Sequence, residues 1–159
     1  MLVEYYSQAD EALKALRQTG YGKMYNNALE HKNLNHGSYN HHNIVLLNGK
    51  IAMINMSKIN YAPAIQDVYD YLRKVMEKYH WKQKTGQNIL EAYESVRQLK
   101  PDEREYLCLR LAYPEKFWKT ASAYSRSNKA WLPEKSVEKL QTAVEQTKEK
   151  EVFLREVFE

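Results

Sequence analysis

The sequence predicts a mainly α fold, of the α+β kind, with one small β-hairpin at 44–56. Three observations predict it. Apolar residues recur at helical spacing over most of the chain. Two β-branched apolar runs, 44–47 and 51–56, flank Asn48-Gly49, and both of those residues tolerate the positive φ of a tight hairpin turn. Five Gly and four Pro in 159 residues leave little room for linkers. A chain of this length buries roughly 70% of its unfolded surface, so a single domain over 1–159 is expected, without a disulfide or metal staple.

The elements follow in order. Residues 4–18 place Tyr5, Ala9, Ala12, Leu13 and Leu16 on one helical stripe, which stops at Gly20. Residues 22–32 read as a second helix with Met24, Tyr25, Ala28 and Leu29 inward. A polar loop, LNHGSYNHHN at 34–43, precedes the hairpin. After Pro63 the helical period returns. Ile65, Val68, Leu72, Val75, Met76 and Tyr79 mark one face of a helix over 64–80, and Ile89, Ala92, Tyr93 and Val96 mark the next. Pro101, with Asp102 and Glu103 behind it, opens another. A proline at the first helical position has no needed N–H to lose, and acids in the first turn suit the helix dipole. Pro114 restarts a helix, and Pro133 opens the last, with Val137, Leu140, Val144, Leu154 and Phe158 as its apolar positions. The middle of that last helix, EQTKEKE, is polar all round and is expected in solvent.

Composition excludes several classes. Net charge is +4, but Lys and Arg alternate with acids and build no phosphate-tracking stripe, so no nucleic-acid partner is expected. The thirteen tyrosines mostly sit at helical spacing beside Leu, Val and Ala, which suits packing. The N-terminal residues carry early acids and no basic-then-apolar signal pattern. No stretch approaches the roughly 18 apolar residues of a membrane span, so no membrane partner is expected. Cys108 is the single cysteine, which rules out an internal disulfide and favours a reducing, cytoplasmic setting; within REYLCLRLAY it reads as a small core residue.

The polar loop holds His36, His41 and His42. No metal site is expected there, because adjacent histidines rarely share a centre, no cysteine is near, and no His-x-x-x-His spacing occurs. The remaining readings are a solvated loop, a retained ligand or partner groove, and a catalytic loop that has lost its catalyst.

A longer constellation favours the last. His36-Gly37-Ser38 is followed by Asn43, an apolar strand, Asn-Gly, a second strand ending in Ile54-Asn55, then Pro63 and Asp67. This resembles the second lobe of aminoglycoside- and choline-kinase-like phosphotransferases, whose loop reads His-Gly-Asp-x-x-x-x-Asn and whose second strand ends in Ile-Asp. AIQDVYDYLRKVMEKYHW, ILEAY and YPEKFWKTASAY are similar to the spore-coat, CotS-type branch of that superfamily. The resemblance implies the helical C-terminal lobe of a protein-kinase-like fold. The N-terminal nucleotide-binding lobe is expected to be absent from 1–159, since no glycine-rich loop or lysine-bearing strand precedes residue 36. ATP and Mg belong to the family; no cofactor is expected for this chain. Spore-coat proteins are the implied partners, with incorporation in the spore coat.

The departures from the family pattern carry the chemistry. Phosphoryl transfer depends on positioning and charge management. Ser38 stands where the proton-accepting Asp is expected, and loss of a general base typically costs roughly 10²- to 10⁴-fold. Asn55 stands where the metal-binding Asp is expected, and Mg²⁺ sites generally use one or two carboxylates. Asn43 keeps the family residue, and Asp67 matches an aspartate that braces the loop. The site positions His36, Ser38, Asn43 and Asn55 therefore read as degenerate. The expected function is that of a catalytically inactive pseudokinase of spore-coat type, structural or interacting in coat assembly. The alternative is an ATP-dependent small-molecule or protein phosphotransferase whose first lobe lies outside this chain, with His41 or His42 as substitute base. Trp131, beyond an expected surface loop at 124–129, is the candidate aromatic for a partner.

Overall fold

The computed structural model describes residues 2–126 and 133–158. Two helices come first, α1 (Leu2–Gln18) and α2 (Tyr21–Glu30). A short strand β1 (Leu34–Asn35) leads into the polar loop and the hairpin β2 (Ile44–Leu47) and β3 (Lys50–Met53). A 3₁₀ turn at Met56–Lys58 and strand β4 (Asn60–Tyr61) follow. The rest is helical: α3 (Ile65–Lys78), α4 (Gln83–Glu94), α5 (Pro101–Ala112), α6 (Glu115–Ser125), α7 (Glu134–Glu145) and α8 (Thr147–Phe158). The fold is mainly helical, as the spacing predicts.

Asn48 and Gly49 both take positive φ, 49° and 75°, and Leu47 pairs with Lys50 across them. That geometry matches the right-handed twist of the flanking strands. A second ladder, absent from the sequence reading, pairs β1 with β4: Leu34 faces Tyr61 and Asn35 faces Asn60. It clamps the two ends of the loop-and-hairpin segment together.

The core forms where α3, α4, α5 and α8 meet. Ile65, Leu72 and Met76 of α3, Leu107 of α5 and Phe153 of α8 are fully buried. Each such side chain contributes roughly 1.5–3 kcal/mol. Gly86 of α4 is required by this packing, because a Cβ there would sit 2.3 Å from the Phe153 ring. Tyrosines join the core as expected: Tyr69 and Tyr106 are buried, and Tyr21 stacks on Tyr106 at 4.6 Å.

Several expectations need correction. The second strand stops at Met53 rather than 56, because Asn55 adopts the left-handed conformation, φ 61°. The hairpin side chains do not form a packed face: Leu46, Leu47 and Ile51 are 72%, 59% and 76% exposed. On α2 only Ala28 is buried, with Tyr25 and Leu29 outward, and Tyr79 and Val96 face solvent. Cys108 is half-buried on α5.

The long last helix is two helices, α7 packing on α6 and α8 on α5. The EQTKEKE segment is solvated on one side only: Glu145, Lys148, Glu149 and Glu151 are exposed, while Gln146, Thr147 and Lys150 turn inward. Gln146, at the break, is buried, donating its amide to the Glu77 carbonyl at 3.2 Å and lying 3.0 Å from His80 Nδ1. Thr147 Oγ1 is 2.7 Å from the Tyr5 hydroxyl, and Lys150 Nζ donates to the Ala112 and Tyr113 carbonyls. These polar groups staple the C-terminal helices to α1, α3 and α5, which no helical-period argument can foresee.

Candidate functional site

The loop at 34–43 is built around two backbone amides and one carboxylate. Asp67, in the first turn of α3, accepts the His36 N–H at 2.7 Å on one oxygen and the Gly37 N–H at 3.1 Å on the other. Gly37 has φ +69°, and a Cβ there would lie 2.2 Å from the Lys58 carbonyl oxygen. Only glycine fits, for both conformational and steric reasons.

His36 is buried and its tautomer follows from its partners. The Ser38 N–H points at Nδ1 at 3.2 Å, so Nδ1 accepts. Nε2 then carries the proton and donates to the Ile54 carbonyl at 2.9 Å. The imidazole thus ties the loop to the end of the hairpin.

The three remaining positions form one chain. Asn43 Nδ2 donates to the Ser38 carbonyl at 2.7 Å and lies 3.4 Å from Ser38 Oγ. A carbonyl can only accept, so the Asn43 amide orientation is forced, and its Oδ1 faces Asn55. Asn55 Nδ2 donates to that Oδ1 at 2.9 Å. The structure therefore brings His36, Ser38, Asn43 and Asn55 together with Asp67 behind them.

Sequence reasoning missed two further asparagines. Asn35, buried, accepts the Gly37 N–H at 3.0 Å and donates to the Pro63 carbonyl at 3.1 Å. Asn40 accepts the His42 N–H at 3.0 Å and donates to the Ser38 carbonyl at 2.8 Å. Both use the side-chain-to-i+2 turn that asparagine favours, so the Asn-x-Gly and Asn-x-His spacings were the available signal. The His41 and His42 rings lie 4.0 Å apart. Burial first, then His42, Lys78 and Lys74, lower the His41 pKa. Tyr124 and Ser125 of the expected surface loop lie within α6, and Trp131 lies outside the described residues.

The family described as "Spore coat putative kinase YutH" matches residues 4–157. This chain belongs to that family. An aminoglycoside phosphotransferase from Alicyclobacillus acidocaldarius subsp. acidocaldarius has a similar solved structure, with TM-score 0.84 at 18% sequence identity. The match covers 96% of this chain and 46% of that one, so this chain spans about half the length of its structural relative. At that identity the likeness establishes the fold, which is the helical C-terminal lobe of a kinase-like architecture. No curated protein matches the chain. Among the described residues no helix is long and apolar enough to cross a membrane.

In this member of the YutH family the donor set does not fit a Mg²⁺–nucleotide. Neither Ser38 nor Asn55 offers a carboxylate, and the Asp67 oxygens are taken by amides. Asn43 Oδ1 is already hydrogen-bonded to the Asn55 N–H, and the other side-chain oxygens there, Asn55 Oδ1 and Ser38 Oγ, are neutral. A cation at Asn43 Oδ1 would have to displace the donor, and it would gain no charge neutralisation in return.

Proposed function

We propose that this chain is a catalytically inactive, kinase-like protein of spore-coat type that acts by binding protein partners in coat assembly. The observation that carries the reading is the closed hydrogen-bond chain Asn55–Asn43–Ser38. An amide N–H occupies the place of a metal, and a hydroxyl occupies the place of a base. Membership of the spore-coat family supports the setting. The exposed apolar hairpin, with Leu46, Leu47, Ile51 and Met53 outward, supports a docking role, since contiguous apolar surface usually marks an interaction site. Trp131 is a second proposed contact, on its sequence position alone.

The alternative reading is an ATP-dependent phosphotransferase completed by a first lobe from outside this chain. The same apolar hairpin and the half-length match favour it. Thermal unfolding with and without ATP and Mg²⁺ separates the two. No shift in Tm is expected for the chain. A shift that Asn43→Ala abolishes would overturn inactivity. The double variant Ser38→Asp with Asn55→Asp is expected to hydrolyse no nucleotide, and measurable turnover by it would show that the scaffold still supports transfer.

A further inference from the structure

A cavity of about 360 Å³ lies between α1, the α5–α6 junction and α8. It includes none of His36, Ser38, Asn43, Asn55 or Asp67 in its lining. Its walls are largely apolar. Tyr5 and Phe117 stack at 4.1 Å on one side, and Trp81, Leu111 and Leu154 contribute elsewhere. Two lysines line it, Lys116 and Lys150, and the contacts of Lys150 set it apart. Lys150 Nζ lies 2.9 Å from the Ala112 carbonyl oxygen, 3.3 Å from that of Tyr113 and 5.6 Å from the centre of the Trp81 ring.

Two backbone carbonyls take up two N–H bonds of the amine, and the third position on nitrogen holds a proton or, once that proton is lost, the lone pair. Burial pulls the Lys150 ammonium down to about 8. Glu77 of α3 and Glu151 of α8 oppose this and Arg73 of α3 adds to it, while Glu11 of α1 and Glu115 and Lys116 of α6 line the same cavity. Capping the end of α5 needs only a donor at its last carbonyls. It does not need a cavity beside the amine. A desolvated lysine in an apolar pocket is instead the arrangement that makes an amine nucleophilic near neutral pH.

We propose that Lys150 is a nucleophilic lysine whose cavity takes a small aldehyde or ketone with an apolar body and holds it as an imine. The Nζ lone pair forms a bond to the carbonyl carbon. The carbonyl π pair moves to oxygen and a nitrogen proton follows it to give the carbinolamine; the second nitrogen proton then leaves with the hydroxyl as water as the nitrogen pair forms the C=N bond. No oxidant or reductant enters the step. The cavity volume sits at the small end of ligand sites, enough for about one ring with a short chain.

The test uses the full chain, benzaldehyde as probe, cyanoborohydride to trap the imine, and peptide mass spectrometry to locate it. At pH 8 Lys150 is expected to label about tenfold faster than the exposed Lys14 and Lys119. Its labelling should rise with a midpoint near pH 8. Lys150→Arg, which keeps a donor at the carbonyls, should lose that label alone. Ala15→Leu, which narrows the cavity from α1, should slow Lys150 and leave Lys14 unchanged, with the helical circular dichroism intact. Labelling of Lys150 no faster than Lys14, or only in urea, would overturn the nucleophile. An unaltered rate in Ala15→Leu would overturn the cavity as its binding site.

Discussion

The Asn55 amide donates to Asn43 Oδ1 at 2.9 Å, and this ties the end of the hairpin to the polar loop. Both side chains have their orientation fixed by the Ser38 carbonyl, which accepts from Asn43 Nδ2. The Asn55 N–H, the Asn43 amide and the Ser38 carbonyl are thereby satisfied by one another.

Replacing that donor by an acceptor should reverse the preference. Asn55→Asp sets a carboxylate against Asn43 Oδ1 and is expected to cost about 1–2 kcal/mol without divalent cations. Mg²⁺ should then raise the Tm of the variant and leave the native chain unchanged. Equal Mg²⁺ responses in the two would mean that the amide is not what closes the site.

Asp67 holds two backbone N–H groups at once. Hydrogen bonds to a charged acceptor contribute about 1.5–3 kcal/mol each, and Asp67→Ala leaves the His36 N–H without its acceptor. A loss of roughly 2–4 kcal/mol is expected, read as a lower urea midpoint. Faster amide hydrogen exchange should be confined to residues near 36–38. Uniform exchange across α3 instead would assign Asp67 to the helix rather than the loop.

Glu115 gathers α3, α5 and α6. Tyr69 and Lys119 hydrogen-bond to it, and Arg73 and Arg110 lie 3.5 and 3.6 Å away. Burial opposes its ionisation, but Arg73, Lys119 and Tyr69 outweigh burial and hold the carboxyl at about 2, against an ordinary 4.5. A carboxyl depressed in the folded state stabilises it fully above the unfolded pKa. That contribution, on the order of 3 kcal/mol, is lost as pH falls from about 4.5 to about 2. The stability gap between the native chain and Glu115→Gln should therefore shrink over that window. A gap independent of pH would contradict the assignment.

Lys150 works in the opposite sense. Its folded pKa of about 8 lies below the ordinary 10.5, so below pH 8 the protonated amine costs stability in full. As pH rises from 8 to 10.5 the unfolded chain holds the extra proton, and the cost fades by about 3 kcal/mol. Relative to Lys150→Met, the native chain should gain stability across that range in denaturant titrations. A constant difference would place the amine in water.

Local chemistry was legible where it repeats a short-range rule. Asn48-Gly49 announced its hairpin and Pro101 its helix start. The loop residues were found through the resemblance of His36, Asn43, Asn55 and Asp67, in that order, to a family pattern. The buried roles of Asn35 and Asn40 passed unnoticed, because an asparagine in a polar loop looks the same whether it is solvated or turned inward. The polar run around Gln146 misled for a related reason. Its partners, Glu77, His80 and Tyr5, lie 66 or more residues away in sequence.

The sequence by itself determined the helical class, the hairpin and its turn, and the identity of the groups at the polar loop. Each of these depends on neighbours a few residues apart, where backbone sterics and helical period decide. Only the tertiary structure decided that Asn55 closes on Asn43, that Leu46, Leu47 and Ile51 of the hairpin stay outward, and that Lys150 donates to the carbonyls at the end of α5. Those outcomes depend on which distant surfaces meet, and desolvation and hydrogen-bond satisfaction take their values only once the helices have packed.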